Sequence, residues 1–300
     1  MSAWALRAQY NISKDSLLLA QKNSHMIKPV LSSVAFILII SVASAQYYYK
    51  DIVSNQQLMA EMAQYKAQNI HTISLKSFED DGSLSEGFFG EKKINKKYTS
   101  VQTRTKSNVT AASEFISEFD DKGMLSRTTD SSSIASSNSF FTYTGSNVKS
   151  IVTVNRSSDD DFTNEIREEH LYEYNSKGNP VKMYRVKNYT DTSVILFSED
   201  ENGNVSIEKN TKSGDTYYYY YDGKKRLTDV VRLNPITQKM LPDYMFEYNY
   251  GGQISQMTTT EEGGTYYFIW KYTYENGLRI KEKCFSKEKR LMGSIEYEYQ

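Results

Sequence analysis

The sequence is poor in the residues that usually carry chemistry or cross-links. It contains one cysteine, Cys284, so an internal disulfide cannot form, and an exported fold would be held by sheet pairing and packing. It has only 4 prolines and 3 histidines. The H-E-x-x-H, G-x-S-x-G, P-loop and paired C-x-x-C patterns are all missing, which excludes the recognisable signatures of several enzyme classes. We interpret Cys284 as a packed strand residue.

An excess of charge of either sign is also missing. The chain has 36 basic and 37 acidic residues, of which the first 45 residues hold four basic and one acidic, so the remainder carries a net charge of −4. This mild negative charge offers no electrostatic footprint for nucleic acid. We therefore expect no nucleic-acid partner.

One apolar run stands near the start of the chain, at residues 34–40. Lys28 precedes it and the small-residue pattern Ala43-x-Ala45 follows it, which is typical of a cleaved signal segment. The run is shorter than the roughly 20 residues that a membrane-spanning helix needs. The sequence thus predicts cleavage after Ala45 and export to the periplasm or the extracellular space, with a membrane anchor at residues 27–45 as the alternative.

The polar residues 1–25 are unusual in front of a signal segment. Met26 followed by Ile, Lys and Pro would be an ordinary start, so we expect Met26 to be the true initiator. The alternative is a long polar region that belongs to the signal. Together, residues 1–45 are predicted to be an extension plus the signal segment.

A short helix is predicted directly after this segment. Ser54 and Gln57 form a capping-box pattern, Met62 and Tyr65 belong to an apolar stripe at helical spacing, and Asn69 is a plausible stop. The pattern indicates an amphipathic helix over about residues 55–67 that covers one end or face of a sheet. Residues 46–76 would comprise this capping helix and a first strand.

Aromatic strands followed by glycine turns recur along the rest of the chain. Tyr172 and Tyr174 share one face of a strand, and Gly178 supplies the positive φ of a tight turn. The residue before each turn recurs with a loose period of about 25 residues, at Phe119, Tyr143, Tyr174, Glu199, Tyr221, Tyr248, Tyr274 and Tyr299. Turns are predicted near Gly82, Gly123, Gly178, Gly203, Lys225, Gly252 and Gly277. The fold class is therefore all-β, an extended antiparallel β-meander of repeated hairpins.

This pattern resembles the YD repeat of Rhs-type bacterial surface and secreted proteins. The copy most similar to the family runs from Tyr221 and Asp222 to Arg226 and Leu227, with Lys225 where the family usually has glycine. The resemblance covers roughly residues 78–300, with degenerate copies. It implies a winding antiparallel sheet over residues 77–300, with too few repeats for the toxin-enclosing shell of large members, and it implies no catalytic residue.

Three further segments have a predicted local structure. Residues 92–106 are basic and polar, so they could form an exposed edge strand, because edge strands often carry lysine. The serine-rich residues 131–139 indicate a loop. Tyr297 and Tyr299 indicate an opening strand whose hairpin is not completed.

Candidate chemical residues are few. His170 lies two residues before Tyr172, and we interpret it as a structural residue on a strand face. The run Asp159-Asp160-Asp161 lacks the spacing of a calcium loop, so we interpret it as solvated and expect no cofactor or metal. Two carboxylates could still meet across strands and act as a glycosidase pair. The alternative function is therefore a secreted hydrolase acting on glycans.

Five consecutive tyrosines at residues 217–221 place aromatic rings on both faces of one strand. Tyr217, Tyr219 and Tyr221 are predicted to face the core, and Tyr218 and Tyr220 could form an exposed aromatic platform. The alternative is that both faces are covered. The predicted function is that of an exported, non-catalytic β-repeat protein of the bacterial cell envelope. Its partner would be a glycan, peptidoglycan or another envelope protein.

Overall fold

A computed structural model describes residues 46–108, 110–157, 165–234, 236–261 and 266–300. The predicted signal segment, the initiator Met26 and the run Asp159-Asp160-Asp161 lie outside these residues. The described part begins with a π-helical segment, Tyr48–Val53, which continues into an α-helix, α1 (Ser54–Ala67). Neither helical segment of the described residues is long and apolar enough to span a membrane.

The described residues after the helix form 18 antiparallel strands. They are β1 (Thr72–Phe78), β2 (Phe89–Ile94), β3 (Ser100–Lys106), β4 (Ser113–Phe119), β5 (Leu125–Ser132), β6 (Ala135–Thr144), β7 (Asn147–Ser157), β8 (Glu165–Tyr174), β9 (Pro180–Lys187), β10 (Asp191–Glu199), β11 (Val205–Asn210), β12 (Thr216–Tyr221), β13 (Leu227–Leu233), β14 (Met240–Tyr248), β15 (Ile254–Thr260), β16 (Tyr267–Glu275), β17 (Leu278–Phe285) and β18 (Leu291–Tyr299).

The strands form one closed barrel. Each strand pairs with its neighbour in sequence, and β18 pairs with β1 from Tyr299 opposite Ile73 to Ser294 opposite Phe78. The predicted all-β antiparallel meander is confirmed. The last strand does have a partner, contrary to our expectation, because β1 supplies it from the other end of the chain.

Two other local predictions are wrong. Residues 92–106 do not form an exposed edge, because β2 pairs with both β1 and β3, and β3 pairs with β4. Residues 131–139 are not a loop, since β5 and β6 cover most of them and pair up to Ser131 opposite Ser136. Serine is tolerated in these strands because hydroxyls find partners across them, as between Ser139 and Thr153 at 2.8 Å.

The repeated turn has one geometry. In the hairpin of β8 and β9, the Asn175 side-chain oxygen accepts hydrogen bonds from the backbone N–H groups of Lys177 and Asn179, each at 3.0 Å. Gly178 has φ +86°, and Lys225 adopts φ +61° at the equivalent place. A positive φ occurs at every predicted turn residue, Gly82, Gly123, Gly178, Gly203, Lys225, Gly252 and Gly277. The turn predictions are confirmed.

Six of the eight repeat positions before the turns are tyrosines, and these six share a second function that spacing alone did not reveal. A β-bulge directly precedes the tyrosine in several strands, and its hydroxyl donates to a backbone carbonyl near the start of an earlier strand. The six pairs are Tyr143 with Leu125, Tyr174 with Val148, Tyr221 with Val205, Tyr248 with Leu227, Tyr274 with Ile254 and Tyr299 with Arg279, at 2.6–2.9 Å. Each such bond ties one hairpin to the preceding one.

The barrel wall has a buried inner face and a wetter outer face. Tyr217 and Tyr219 are each 2% exposed, whereas Tyr220 is 47% exposed. Equivalent inner positions on other strands, Tyr172, Phe246 and Tyr272, are also buried. The inner face therefore carries buried aromatic rings on β8, β12, β14 and β16.

The helix lies inside the barrel. Three consecutive tyrosines at its start contact three separate strands: Tyr47 packs on His170 of β8, Tyr48 on Tyr219 of β12, and Tyr49 on Phe246 of β14. At its other end, Tyr65 lies near Tyr299 of β18, and Glu61 pairs with Lys92 of β2. Only an element in the lumen can reach strands distributed around a closed ring. We call Tyr48–Val53 and α1 together the interior helix.

The predicted helix needs two corrections. It begins at Tyr48 instead of near Asn55, and Ser54 is within the helix, where its hydroxyl donates to the carbonyl of Tyr49 at 3.0 Å. It also fills the interior rather than covering an end or outer face. The predicted stop is confirmed, since Asn69 follows α1 with φ +57°.

Candidate functional site

The first N–H groups of the interior helix point at a buried carboxylate on β11. Glu208 Oε1 accepts from the backbone N–H of Gln46 at 2.9 Å and of Tyr47 at 3.0 Å, and Oε2 accepts from that of Tyr48 at 2.9 Å. The Tyr219 hydroxyl donates to Oε2 at 2.7 Å. A carboxylate at this place satisfies helix N–H groups and complements the helix dipole. Glu208 therefore caps the helix from 162 residues away.

Glu208 is fully buried, with 0% exposure. Burial raises the pKa of Glu208 to about 7, against the lowering effect of its hydrogen bonds from Tyr48 and Tyr219. The four groups that donate to the carboxylate are neutral, and the nearby carboxylate of Asp51 raises the pKa further. A positive charge placed close to Glu208 would therefore stabilise the ionised form of its carboxylate.

A second buried cluster lies beside the first and is centred on His170 of β8. His170 Nδ1 is 2.6 Å from Asp51 Oδ2 of the helix, and His170 Nε2 is 2.9 Å from Glu168 Oε1. Tyr172 donates to the same Asp51 oxygen at 2.7 Å, and Arg185 Nη2 lies 2.5 Å from Glu168 Oε2. Asp51 thus attaches the helix to the inner face of β8.

The ionisation of this cluster follows from its contacts. Burial opposes a charge on His170, but Asp51 and Glu168 outweigh burial and raise the pKa of His170 to about 9. Burial likewise opposes the charge of Glu168, and its hydrogen bonds from His170 and Arg185 lower its pKa to about 2. Because His170 is protonated at neutral pH, it cannot act as a general base. Its geometry is that of a structural ion pair.

The opposite part of the lumen holds another ion pair. Arg279 Nη1 of β17 is 3.3 Å from Glu282 Oε2, and Glu282 has 0% exposure. Cys284, on the same strand, is 4% exposed, and burial raises the pKa of its thiol to about 12. A buried thiol of this kind is protonated and a poor nucleophile.

The predicted platform residues lie on the outer face of β12. Tyr218 is half-buried and pairs with Ile207 of β11, whereas Tyr220 pairs with Asp229 of β13, which pairs in turn with Met245 of β14. Met245 is 37% exposed. We call Tyr218, Tyr220, Ile207 and Met245 the outer tyrosine patch.

The outer faces of β3, β4 and β5 have a different character. They carry ion pairs between neighbouring strands, with Arg104 2.8 Å from Glu114 and Arg127 3.7 Å from Glu118. The side chains of these pairs are 31–52% exposed. The outer tyrosine patch thus differs from the ion-paired outer faces of β3, β4 and β5, although other strands also carry exposed apolar side chains, such as Phe140 of β6 and Leu196 of β10.

Cavities in the described residues are small or shallow. An open depression is lined by His71, Thr72, Lys93, Ile94 and Lys96. A cavity of about 100 Å³ lies between the interior helix and the hairpin ends, where Tyr48, Met59 and Tyr174 contribute to its lining. Neither lining contains a carboxylate. The described residues also hold no group of three or more His, Cys, Asp or Glu side chains suited to a metal ion.

Sequence reasoning placed Tyr218 and Tyr220 on the outer face and Gln46 directly after the predicted cleavage site, but it missed Asp51, Glu208 and the contact between Gln46 and Glu208. In the hairpin of β10 and β11, the residue before the turn is Glu199 and not an aromatic residue. The inner face of β11 could therefore not be assigned from the tyrosine pattern. The alternation from Tyr172 back to His170 did indicate an inward position for that histidine. The distance in sequence between Gln46 and Glu208 left no local signal for their contact.

Comparison with known proteins gave structural likenesses only. No protein-family model matches the chain, and no curated protein matches it. A porin-like protein from Bacteroides uniformis aligns over 77% of this chain and 98% of its own, with 8% identity and a TM-score of 0.37. A porin-like protein from Bacteroides vulgatus aligns over the same shares, with 10% identity and a TM-score of 0.28. A chain of the Photorhabdus luminescens Tc holotoxin pore aligns over 71% of this chain and 15% of its own, with 12% identity and a TM-score of 0.28.

Proposed function

We propose that this is an exported, non-catalytic β-repeat protein of the bacterial cell envelope that binds glycan strands through its outer tyrosine patch. The observation that carries the proposal is the exposure of Tyr220, at 47%, with Asp229 next to it on β13 and the exposed Met245 on the following strand. Exposed apolar patches rimmed by polar groups mark interaction sites. Export follows from the signal pattern that ends at Ala45.

The interior helix occupies the lumen of the barrel, and this favours a binding surface on the outer wall. The interior helix contacts β2, β8, β12, β14 and β18, and protein donors engage the buried carboxylate of Glu208 and the partly buried carboxylates of Asp51 and Glu168. These carboxylates hold the helix and His170 in place. A partner that approaches the described residues meets the outer wall of the barrel.

The chemistry of the patch favours a glycan over a protein. Tyrosine combines an apolar ring with a hydroxyl, which suits a ligand with apolar faces and many hydroxyl groups. Asp229 lies between Tyr220 and Met245, and the exposed Lys209 lies two residues after Ile207 on the same face of β11, so both offer polar groups to sugar hydroxyls. A patch of four side chains is far smaller than the roughly 800 Å² per partner that a stable protein interface buries.

The test is co-sedimentation of the purified exported protein with insoluble peptidoglycan. We expect Tyr220→Ser to weaken binding at least about tenfold, as for the loss of an exposed anchoring aromatic. Tyr250→Ser is the matched control, because Tyr250 is fully exposed on the turn after β14 and is not a patch residue, so its loss should leave binding unchanged.

Equal binding by wild type and Tyr220→Ser would overturn the proposal. Release of soluble sugar during the incubation would favour the glycan hydrolase instead. Capture of an envelope protein in place of the glycan would also contradict it.

We also propose that the chain is a member of the YD-repeat family. The support is the repeated turn, in which an aromatic residue precedes Asp or Asn, and that side chain accepts backbone N–H groups ahead of a residue with positive φ. Asp222 does so for Lys224 and Arg226, at 2.9 and 3.0 Å. An alignment of relatives in which Tyr221 and Asp222 vary freely would contradict membership.

A further inference from the structure

The backbone nitrogen of Gln46 occupies an unusual position for the residue next to a predicted cleavage site. It lies 2.9 Å from Glu208 Oε1, and Gln46 is only 3% exposed. If the chain is cut after Ala45, this nitrogen becomes the α-amino group of the protein. An ammonium would then stand in contact with a fully buried carboxylate.

We propose that cleavage after Ala45 places the new α-ammonium group of Gln46 in a buried ion pair with Glu208, which holds the interior helix inside the barrel. The inference rests on the export step of the proposed function, since that step supplies the cleavage. Glu208 of β11 and Tyr219 of β12 then form a binding site for the mature amino terminus.

Charge complementarity supports this pairing. In the uncut chain, the donors to Glu208 are three neutral amides and the Tyr219 hydroxyl. Asp51 and Asp243 add negative charge nearby, the charge of Lys50 interacts with all three carboxylates, and Arg232 pairs with Asp243. A new ammonium group would add the positive charge that a buried carboxylate needs to stay ionised.

The side chain of Gln46 has its own anchor. Its amide nitrogen donates to Asp243 Oδ2, and Arg232 pairs with the other carboxylate oxygen of Asp243 at 3.4 Å. Backbone nitrogen and side-chain amide are thus bound by two different strands, β11 and β14. Both ends of the residue are fixed.

This arrangement has a chemical consequence for an amino-terminal glutamine. Such residues cyclise when the neutral amine nitrogen bonds to the side-chain Cδ, the Cδ–Nε2 bond breaks, and ammonia leaves. In the folded barrel, Glu208 keeps the amine protonated, and Asp243 holds the amide away from it. The mature protein should therefore retain an uncyclised Gln46 for as long as it is folded.

The experiment uses the full 300-residue chain, expressed in a bacterial host and recovered after export. Mass spectrometry of the amino-terminal peptide should show Gln46 as the first residue, without the loss of one ammonia. Reductive methylation should then modify its α-amine at least about tenfold more slowly in the folded than in the denatured protein, because a buried amine reacts only after local opening.

Glu208→Gln removes the ionic partner and should increase both the labelling and the cyclisation of Gln46. Glu118→Gln, on the outer face, is the matched control and should change neither. If Glu208→Gln does not fold, the contrast between folded and denatured wild type still decides the question.

Three results would overturn the inference: a first residue other than Gln46, a cyclised terminus in the folded protein, or equal labelling of the folded and denatured states. Retention of residues 1–45 would also remove the export step from the proposed function. Cleavage at another position would contradict this inference alone.

Discussion

Truncation of Tyr248 measures how strongly one inner tyrosine holds the barrel together. Its ring lies on the inner face of β14, Arg226 stacks on it at 4.3 Å, and its hydroxyl donates to the carbonyl of Leu227 at 2.6 Å. Burial raises the pKa of this hydroxyl to about 12. Tyr248→Ala thus removes packing, a cation–π contact and a hydrogen bond at once.

The expected cost follows from these three losses. Removing a large aromatic side chain costs about 3–5 kcal/mol when the ring is fully buried, and the half-buried Tyr248 should lie near the lower value, about 3 kcal/mol. Tyr248→Phe deletes the hydroxyl alone and should cost about 1 kcal/mol, the net value of one hydrogen bond. The difference between the two variants gives the contribution of the ring.

Denaturant melts of the purified variants provide the measurement. Tyr218→Ala is the matched control, because Tyr218 lies on the outer face of β12, two strands away from β14, and its truncation should cost about 1 kcal/mol or less. Equal destabilisation by Tyr248→Ala and Tyr218→Ala would refute the two-faced wall. It would also remove the basis for an exposed tyrosine patch.

Two further predictions concern the lumen and the turns. The free energy of unfolding should fall by about 3 kcal/mol between pH 6.5 and 9, because unfolded histidine loses its proton near 6.5 while His170 keeps it to about 9. Urea melts of wild type and His170→Gln would show this, and an equal decline in both would contradict it. Lys225→Gly should add about 0.5–1 kcal/mol by relieving a left-handed backbone, and Gly252→Lys should remove a similar amount. Thermal melts in which Lys225→Gly is the less stable protein would count against this reasoning.

The hairpins could be predicted from the sequence because their signals are local. Each turn needs a residue that tolerates positive φ, and each strand shows a two-residue alternation. Lys225 was identified through its place in the repeat even though glycine is missing there. The same alternation assigned Tyr219 to the inner face and Tyr220 to the outer face.

Closure of the ring and the position of the helix could not be predicted, because their contacts join distant parts of the chain. The pairing of β1 with β18 links Ile73 to Tyr299, and the cap on the helix links Gln46 to Glu208. The capping box at Ser54 was a sound local pattern, but the contact with Glu208 provided a better start for the helix. Serine-rich strands were missed because hydroxyl pairing across strands compensates for low β-propensity.

The pairing of β1 with β18 forms a seam that closes the barrel around the interior helix. α1 leads directly into β1, and the carbonyl of Gln300 accepts the N–H groups of His71 and Thr72 at 2.8 and 2.9 Å, so the seam closes beside the end of the helix. The docking of the final strand joins residues more than 200 positions apart in sequence. Contacts between residues so far apart in sequence form slowly, so we expect the docking of β18 onto β1 to be a slow step in folding. We therefore expect the rate at which this seam opens to contribute to the lifetime of the assembled barrel.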